Sequence, residues 1–277
     1  MLNTITNKVS ELKSELDYRT ALLNHRQNLP ALEKSDRIIV DALKREGACV
    51  TSLEELGLSL TPDLLKAAYN QLDRMGTPNA NRAGKKLPQI YTVTDIPEFS
   101  AWGKQQRLLN IIENYIGLPV AFQGVHLRKD FPNENQFGTL LWHKDSEDRR
   151  MVKAIIYLTD VEEKHGPFEY VPLSLTSANS LNYYRIYYKL WKAGYVGIND
   201  EQLEPIIPKS AWKSCPGPAG TVILTDPRAA LHHGTLRSEE RSALFYVYTA
   251  NPPKRPELCT QYWDDTFAKP ESVKVST

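Results

Sequence analysis

Cysteine is scarce in this 277-residue chain: Cys49, Cys215 and Cys259 are odd in number and widely spaced, which excludes a disulfide framework and any Cys-based metal knuckle. They fit a reducing compartment. Net charge is nearly absent as well, since 34 Lys and Arg against 33 Asp and Glu leave +1, and this gives no electrostatic case for nucleic acid or an anionic membrane surface. Long apolar runs are missing too. Nothing approaches a bilayer span, and the opening MLNTITNKVSELKSEL has no uninterrupted apolar core of the kind a secretion signal carries. The expectation is a cytoplasmic protein with neither a nucleic-acid nor a membrane partner.

What is present suffices for a full core, with 41% hydrophobic and 24% charged residues. The first 117 residues read as mainly helical. Leu2, Ile5, Val9, Leu12 and Leu16 fall at helical spacing within 2–24, predicting an amphipathic helix laid on the outside of the core or used in a dimer contact. Ser35 precedes a second helical pattern that Gly47 ends, and Thr61-Pro62 opens a third. A fourth is expected over about 100–116, with Gly117 as its stop, and the polar, turn-rich 77–88 as a loop near the site entrance. From 118 onward the pattern changes to strands: 120–131, 138–145, 149–161, 166–172, 216–226 and 241–250, separated by Gly/Pro turns. The stretch 176–213 is too long for a hairpin and reads as a helical insert over the mouth of the strand core. It carries Tyr184, Tyr188 and Trp191 as candidate substrate contacts, weighed against simple packing. Residues 256–277 read as a C-terminal tail of one domain spanning 1–277.

Within this β series lies His143-x-Asp145. Side chains two apart on a strand project to one face, so both can reach one ion. A third ligand is offered by His232 or its neighbour His233, after the apolar run 222–224. Two imidazoles and one carboxylate leave octahedral positions open, which suits non-haem Fe(II) handling oxygen and a chelating co-substrate rather than a closed zinc site. Arg241, nine residues past His232, is a candidate anchor for an acidic co-substrate, because a guanidinium grips a carboxylate with paired hydrogen bonds. Gln123, His126 and Arg128 alternate on the strand before the metal segment and are candidate substrate contacts if that face turns inward.

Four stretches in order, SDRIIVDALKREGACVTSLEEL (35–56), WHKD (142–145), IIYLTDVEEKHGPFEYVPLS (155–174) and LHHGTLRSEERSALFYVY (231–248), resemble the phytanoyl-CoA dioxygenase-like branch of the Fe(II)/2-oxoglutarate-dependent oxygenases. The resemblance covers roughly residues 36–255. It implies a double-stranded β-helix, the cupin-like jelly roll, at 118–255, buttressed by the N-terminal helices. It further implies iron held by His143, Asp145 and His232, and 2-oxoglutarate held by Arg241 with a hydroxyl from Thr235. The reaction it implies is oxidation of a C–H bond of a small molecule by O2, with decarboxylation of 2-oxoglutarate to succinate and CO2. Retention of the carboxylate ligand Asp145 favours hydroxylation over halogenation. Two departures leave alternatives: the interval from the last His to the Arg is slightly short, so Arg237 competes with Arg241, and the His232-His233 doublet leaves the third ligand open. A metal-dependent hydrolase and a jelly-roll binding protein without catalysis are the competing functions. The substrate itself, and whether the chain is a monomer or homodimer, are not legible.

Overall fold

The computed structural model describes residues 2–76, 84–178 and 180–270, with side chains from residue 9 onward. The N-terminal part is helical: α1 (Leu2–His25), α2 (Lys34–Glu46), α3 (Leu53–Leu56), α4 (Thr61–Leu72), α5 (Pro97–Gly103) and α6 (Gln106–Ile116). Strands β1 (Ala48–Ser52) and β2 (Gln89–Thr92) lie among them, followed by β3 (Val120–Asp130), β4 (Met151–Tyr157) and β5 (Phe168–Val171). Helices α7 (Leu173–Thr176), α8 (Leu181–Lys192) and α9 (Asp200–Leu203) come next, then β6 (Lys213–Cys215), β7 (Thr221–Thr225), β8 (Leu231–Gly234) and β9 (Arg241–Ala250).

The strands form two antiparallel sheets, a large one ordered β1-β7-β4-β9-β3-β2 and a small one ordered β6-β5-β8. The period-2 alternation of the central strands gives the large sheet two apolar faces. Ala154 and Ile156 of β4, Val222 and Leu224 of β7, and Leu244, Tyr246 and Tyr248 of β9 pack against the helices in one core. Ile155 and Tyr157, Ile223 and Ala243 project the other way and meet Phe168 and Tyr170 of the small sheet in a second. This is the expected jelly roll with helical buttress.

The buttress is fixed at a few points. Helix α6 buries Leu108, Ile111, Ile112, Tyr115 and Ile116 along one side, each contributing about 1.5–3 kcal/mol by leaving water. Arg107, on the same helix, pairs with the buried Asp36 of α2 at 2.9 Å and donates to Leu56 O at 2.6 Å, so one guanidinium ties three helices. Gly47 stops α2 at φ 87°, a conformation that disfavours side chains. A Cβ there would also press to 3.0 Å on Ala230, just before β8.

Several expectations need correction. The segment 138–145 is not a strand: Gly138–Leu140 is a 3₁₀ turn, and only Trp142 and His143 bridge neighbouring chain, to Ile198 and His232. The helix expected over 100–116 is two, because the chain breaks at Lys104-Gln105 between α5 and α6. Helix α1 exists, but Val9, Leu12 and Leu16 are about 60–65% exposed; the helix is held instead through Tyr18, Leu22 and Glu15. Leu2 and Ile5 have side chains outside the described residues, as does most of the loop expected at 77–88.

The insert follows the 3.6-residue period, burying Ile186 and Leu190 of α8 with Trp142, Val171, Leu231 and Trp212. It therefore covers the outer face of the small sheet rather than a barrel mouth. No helix among the described residues is long and apolar enough to cross a membrane.

Candidate metal centre and its cavity

Strand β8 and the extended segment at 142–143 bring two histidines face to face. His143 N donates to His232 O at 3.0 Å and His232 N to His143 O at 3.1 Å, so their side chains leave directly opposed positions, with rings 4.4 Å apart. Asp145, two residues on, turns to the same side, with its own N–H fixed on Pro227 O at 2.9 Å. One ligand atom from each of His143, Asp145 and His232 lies within 4.8 Å of the others.

The tautomers follow from the partners. His143 Nδ1 sits 2.7 Å from Leu141 O and His232 Nδ1 sits 3.1 Å from Ala230 O; a carbonyl only accepts, so each Nδ1 carries the proton and each Nε2 presents a lone pair. Those Nε2 atoms lie 3.6 and 4.0 Å from Asp145 Oδ1. Burial, then the neighbouring His143, pushes His232 down to about 3, so it stays neutral. Two lone pairs and one carboxylate oxygen thus converge with no proton between them. This donor set fits a divalent cation.

The second oxygen of Asp145 is taken by Lys153 of β4, whose Nζ bonds Oδ2 and lies 3.7 Å from Glu147 Oε1. Although burial raises the Asp145 pKa, Lys153 and then the two histidines hold it well below the usual carboxylate range. One oxygen therefore faces the imidazoles while the other is oriented by a cation, the division of labour seen around metal-binding carboxylates.

A cavity of about 120 Å³ opens from this cluster, lined by Lys153, Ile155, Phe168, Thr225 and Phe245, and Arg241 stands on its wall. The guanidinium is 4% exposed: Nε and Nη2 donate to Asp130 Oδ2 at 3.2 and 2.8 Å, and Nη1 to Gly166 O at 2.6 Å. Of its five N–H groups two remain, one on each Nη. Gly166 makes its carbonyl available at φ 70°, where a Cβ would fall 2.5 Å from Thr235 O. Burial works against the Asp130 charge, yet Arg128, Arg237 and Arg241 hold its carboxyl far below the ordinary range.

The other sequence candidates separate clearly. His233 points away from the cluster, with Nδ1 on Leu140 O, Nε2 on Glu169 Oε2, both at 2.9 Å, and its ring stacked 3.8 Å from Trp142. Arg128 does line the cavity, donating to Asp130 and to Thr139 Oγ1 at 2.8 Å each. His126 shares its inward face, but packs against Tyr262 and Phe267 and does not line the cavity. Gln123 donates to Thr249 Oγ1 at 2.7 Å. Thr235 is held on Pro167 O, off the cavity; the threonines that do line it are Thr139 and Thr225. Tyr184, Tyr188 and Trp191 are 55–65% exposed on the outer face of α8. Its Tyr187 and Leu190 instead border a basic cleft behind the His143–Asp145 segment.

Asp130 and Thr139 were not singled out from sequence. A signal for Asp130 existed, since it continues the alternation of His126 and Arg128 on one face of β3 and registers with Arg241. Thr139 sits in an irregular turn, where no period exists to assign its direction.

The phytanoyl-CoA dioxygenase (PhyH) family profile matches residues 61–242. Among solved structures, the chain resembles EctD from S. alaskensis with bound Fe, at TM-score 0.54 and 20% identity over 78% of this chain and 77% of that one. It also resembles HygX from Streptomyces hygroscopicus with nickel, 2-oxoglutarate and hygromycin B bound, at TM-score 0.51 and 17% identity, covering 77% and 87%. A third is SnoN, a non-heme alpha ketoglutarate dependent epimerase from nogalamycin biosynthesis, at TM-score 0.52 and 15% identity, covering 78% and 83%. At these identities the likeness is one of fold. No curated protein matches the chain.

Proposed function

Because the chain belongs to the phytanoyl-CoA dioxygenase family of Fe(II)/2-oxoglutarate-dependent enzymes, we propose that it hydroxylates an unactivated C–H bond of a small molecule. The observation that carries this reading is the convergence of His143 Nε2, Asp145 Oδ1 and His232 Nε2 at one end of a cavity whose wall presents Arg241. Those three side chains hold Fe(II). The bound ion and 2-oxoglutarate supply O2 activation, with release of succinate and CO2 coupled to oxidation of substrate.

The protein's own work is placement. Arg241 offers its two spare N–H groups to the distal carboxylate of 2-oxoglutarate, and Asp130 and Gly166 O keep the guanidinium from swinging. Ile155, Phe168 and Phe245 exclude water around the carbon chain of that co-substrate. Lys153 keeps Asp145 turned so that one oxygen serves the metal. Asp145 leaves no ligand position for a halide, which favours hydroxylation.

The test is succinate release from 2-oxoglutarate by iron-loaded protein, with ferrous and Ni(II) binding measured beside it. His232→Ala is expected to abolish metal binding and turnover even though His233 is adjacent, because alternation sends the neighbour's ring to Trp142. Wild-type protein that binds neither metal nor 2-oxoglutarate overturns the reading.

A further inference from the structure

Beside the metal cavity lies a second chamber of about 230 Å³, sharing Arg128 and Thr139 with it. These two shared residues are joined by a 2.8 Å hydrogen bond from Arg128 Nη2 to Thr139 Oγ1. The chamber's walls are mostly apolar, with Leu87, Pro88, Ile90, Phe131, Phe137 and Leu140. Arg237, Asp130, Asn133 and Lys86 add polar groups.

Arg237 is unusual. Its side chain is 1% exposed; Nη1 pairs with Asp130 Oδ2 at 2.9 Å and Nη2 donates to Thr235 O at 3.3 Å, while Nε has no acceptor. Buried donors left unmatched are costly, and buried charge more so. The charges around it do not balance either. Three guanidinium groups, Arg128, Arg237 and Arg241, face the single carboxylate of Asp130. A co-substrate carboxylate at Arg241 answers one of the two surplus charges. One remains, and Lys86 adds a further cation to the chamber wall.

We propose that this chamber seats the substrate, and that the substrate is an apolar carboxylic acid whose carboxylate is received by Arg237, with its body lying along Ile90, Phe131 and Phe137. The apolar walls reward a hydrocarbon or ring body. Because Arg128 and Thr139 border both spaces, the far end of that body approaches the metal cavity beside them. This assignment rests on the reading that Arg241 holds 2-oxoglutarate.

The experiment is calorimetric binding to the full chain loaded with Ni(II) and saturating 2-oxoglutarate. Octanoate and phenylacetate are compared with octanamide and phenylacetamide. The acids are expected to bind about tenfold or more tighter than the amides, the scale of one charge-assisted contact. Arg237→Gln is expected to erase that preference, and Leu87→Trp, which narrows the rim without touching the arginines, to weaken acids and amides alike. If R237Q fails to fold, L87W decides. Acids that bind no better than amides, acids unaffected by L87W, or acids displaced one for one by 2-oxoglutarate overturn the assignment. Binding of 2-oxoglutarate to the Ni(II)-loaded wild type is titrated separately, so failure of the enzymatic reading and failure of this one give different results.

Discussion

Lys153 fills an unusual place, because it is the buried cation that answers Asp145 Oδ2 and, at longer range, Glu147. A buried carboxylate stripped of its partner costs about 3–5 kcal/mol. Lys153→Met is therefore expected to lower the thermal midpoint of metal-free protein. A divalent ion brings its own positive charge to the same carboxylate, so Ni(II) should restore more of the midpoint in K153M than it adds to wild type. Thermal unfolding with and without Ni(II) reads both effects. Equal metal-induced shifts in the two proteins count against Lys153 as the charge that stands in. In the sequence the residue reads as a lysine opening an apolar strand, a candidate for co-substrate binding or for structure; its pairing with Asp145 is not legible, since that segment has no regular period.

At the scale of elements, helix α8 divides its aromatic and aliphatic residues between two faces. Ile186 and Leu190 are buried against Trp142 and Trp212, while Tyr184, Tyr188 and Trp191 face outward. Ile186→Ala is expected to cost about 2–5 kcal/mol in denaturant unfolding, and Tyr184→Ser less than about 0.5 kcal/mol. A large loss from the Tyr184 change would mean that its face is covered. The sequence marked the helix but left the use of its aromatic face open between packing and substrate contact, because Tyr and Trp at helical spacing look the same whether they anchor the insert or decorate it. Elements with strong periodicity were easier: β9 runs over 241–250 as expected, and α2 ends at Gly47. The site was legible to a similar degree. His143, Asp145 and His232 meet because the chain there is extended and bridged, which a two-residue spacing implies even without a regular strand. Thr235 was misplaced because a turn, unlike a strand, gives no rule for which way a hydroxyl points.

Across the whole molecule, the two layers communicate through Asp226. This carboxylate accepts from Tyr115 Oη of α6 at 2.7 Å and from the N–H groups of Arg228 and Ala229, capping the turn whose Pro227 carbonyl holds Asp145. Burial, partly offset by these hydrogen bonds, raises it to about 6 from an ordinary 3.8. The folded state thus binds the proton more tightly than the unfolded chain. Its contribution is full below about pH 4 and is lost as pH rises toward 6, a swing of roughly 3 kcal/mol. Asp226→Asn, which keeps the shape without the charge, should gain stability over wild type as pH goes from 4.5 to 7.5, as read by urea unfolding. A gap that stays constant with pH would contradict the assignment.

Helix α1 meets the rest of the molecule through Glu15, Tyr18, Leu22 and His25, while Val9, Leu12, Leu16 and Leu23 stay in solvent. In amide hydrogen exchange this makes two clocks in one chain. The amides of α1 should open and exchange early, by local release from Arg149 and Glu113, whereas those of β9, held in register by β3 on one side and β4 on the other, should wait for global unfolding.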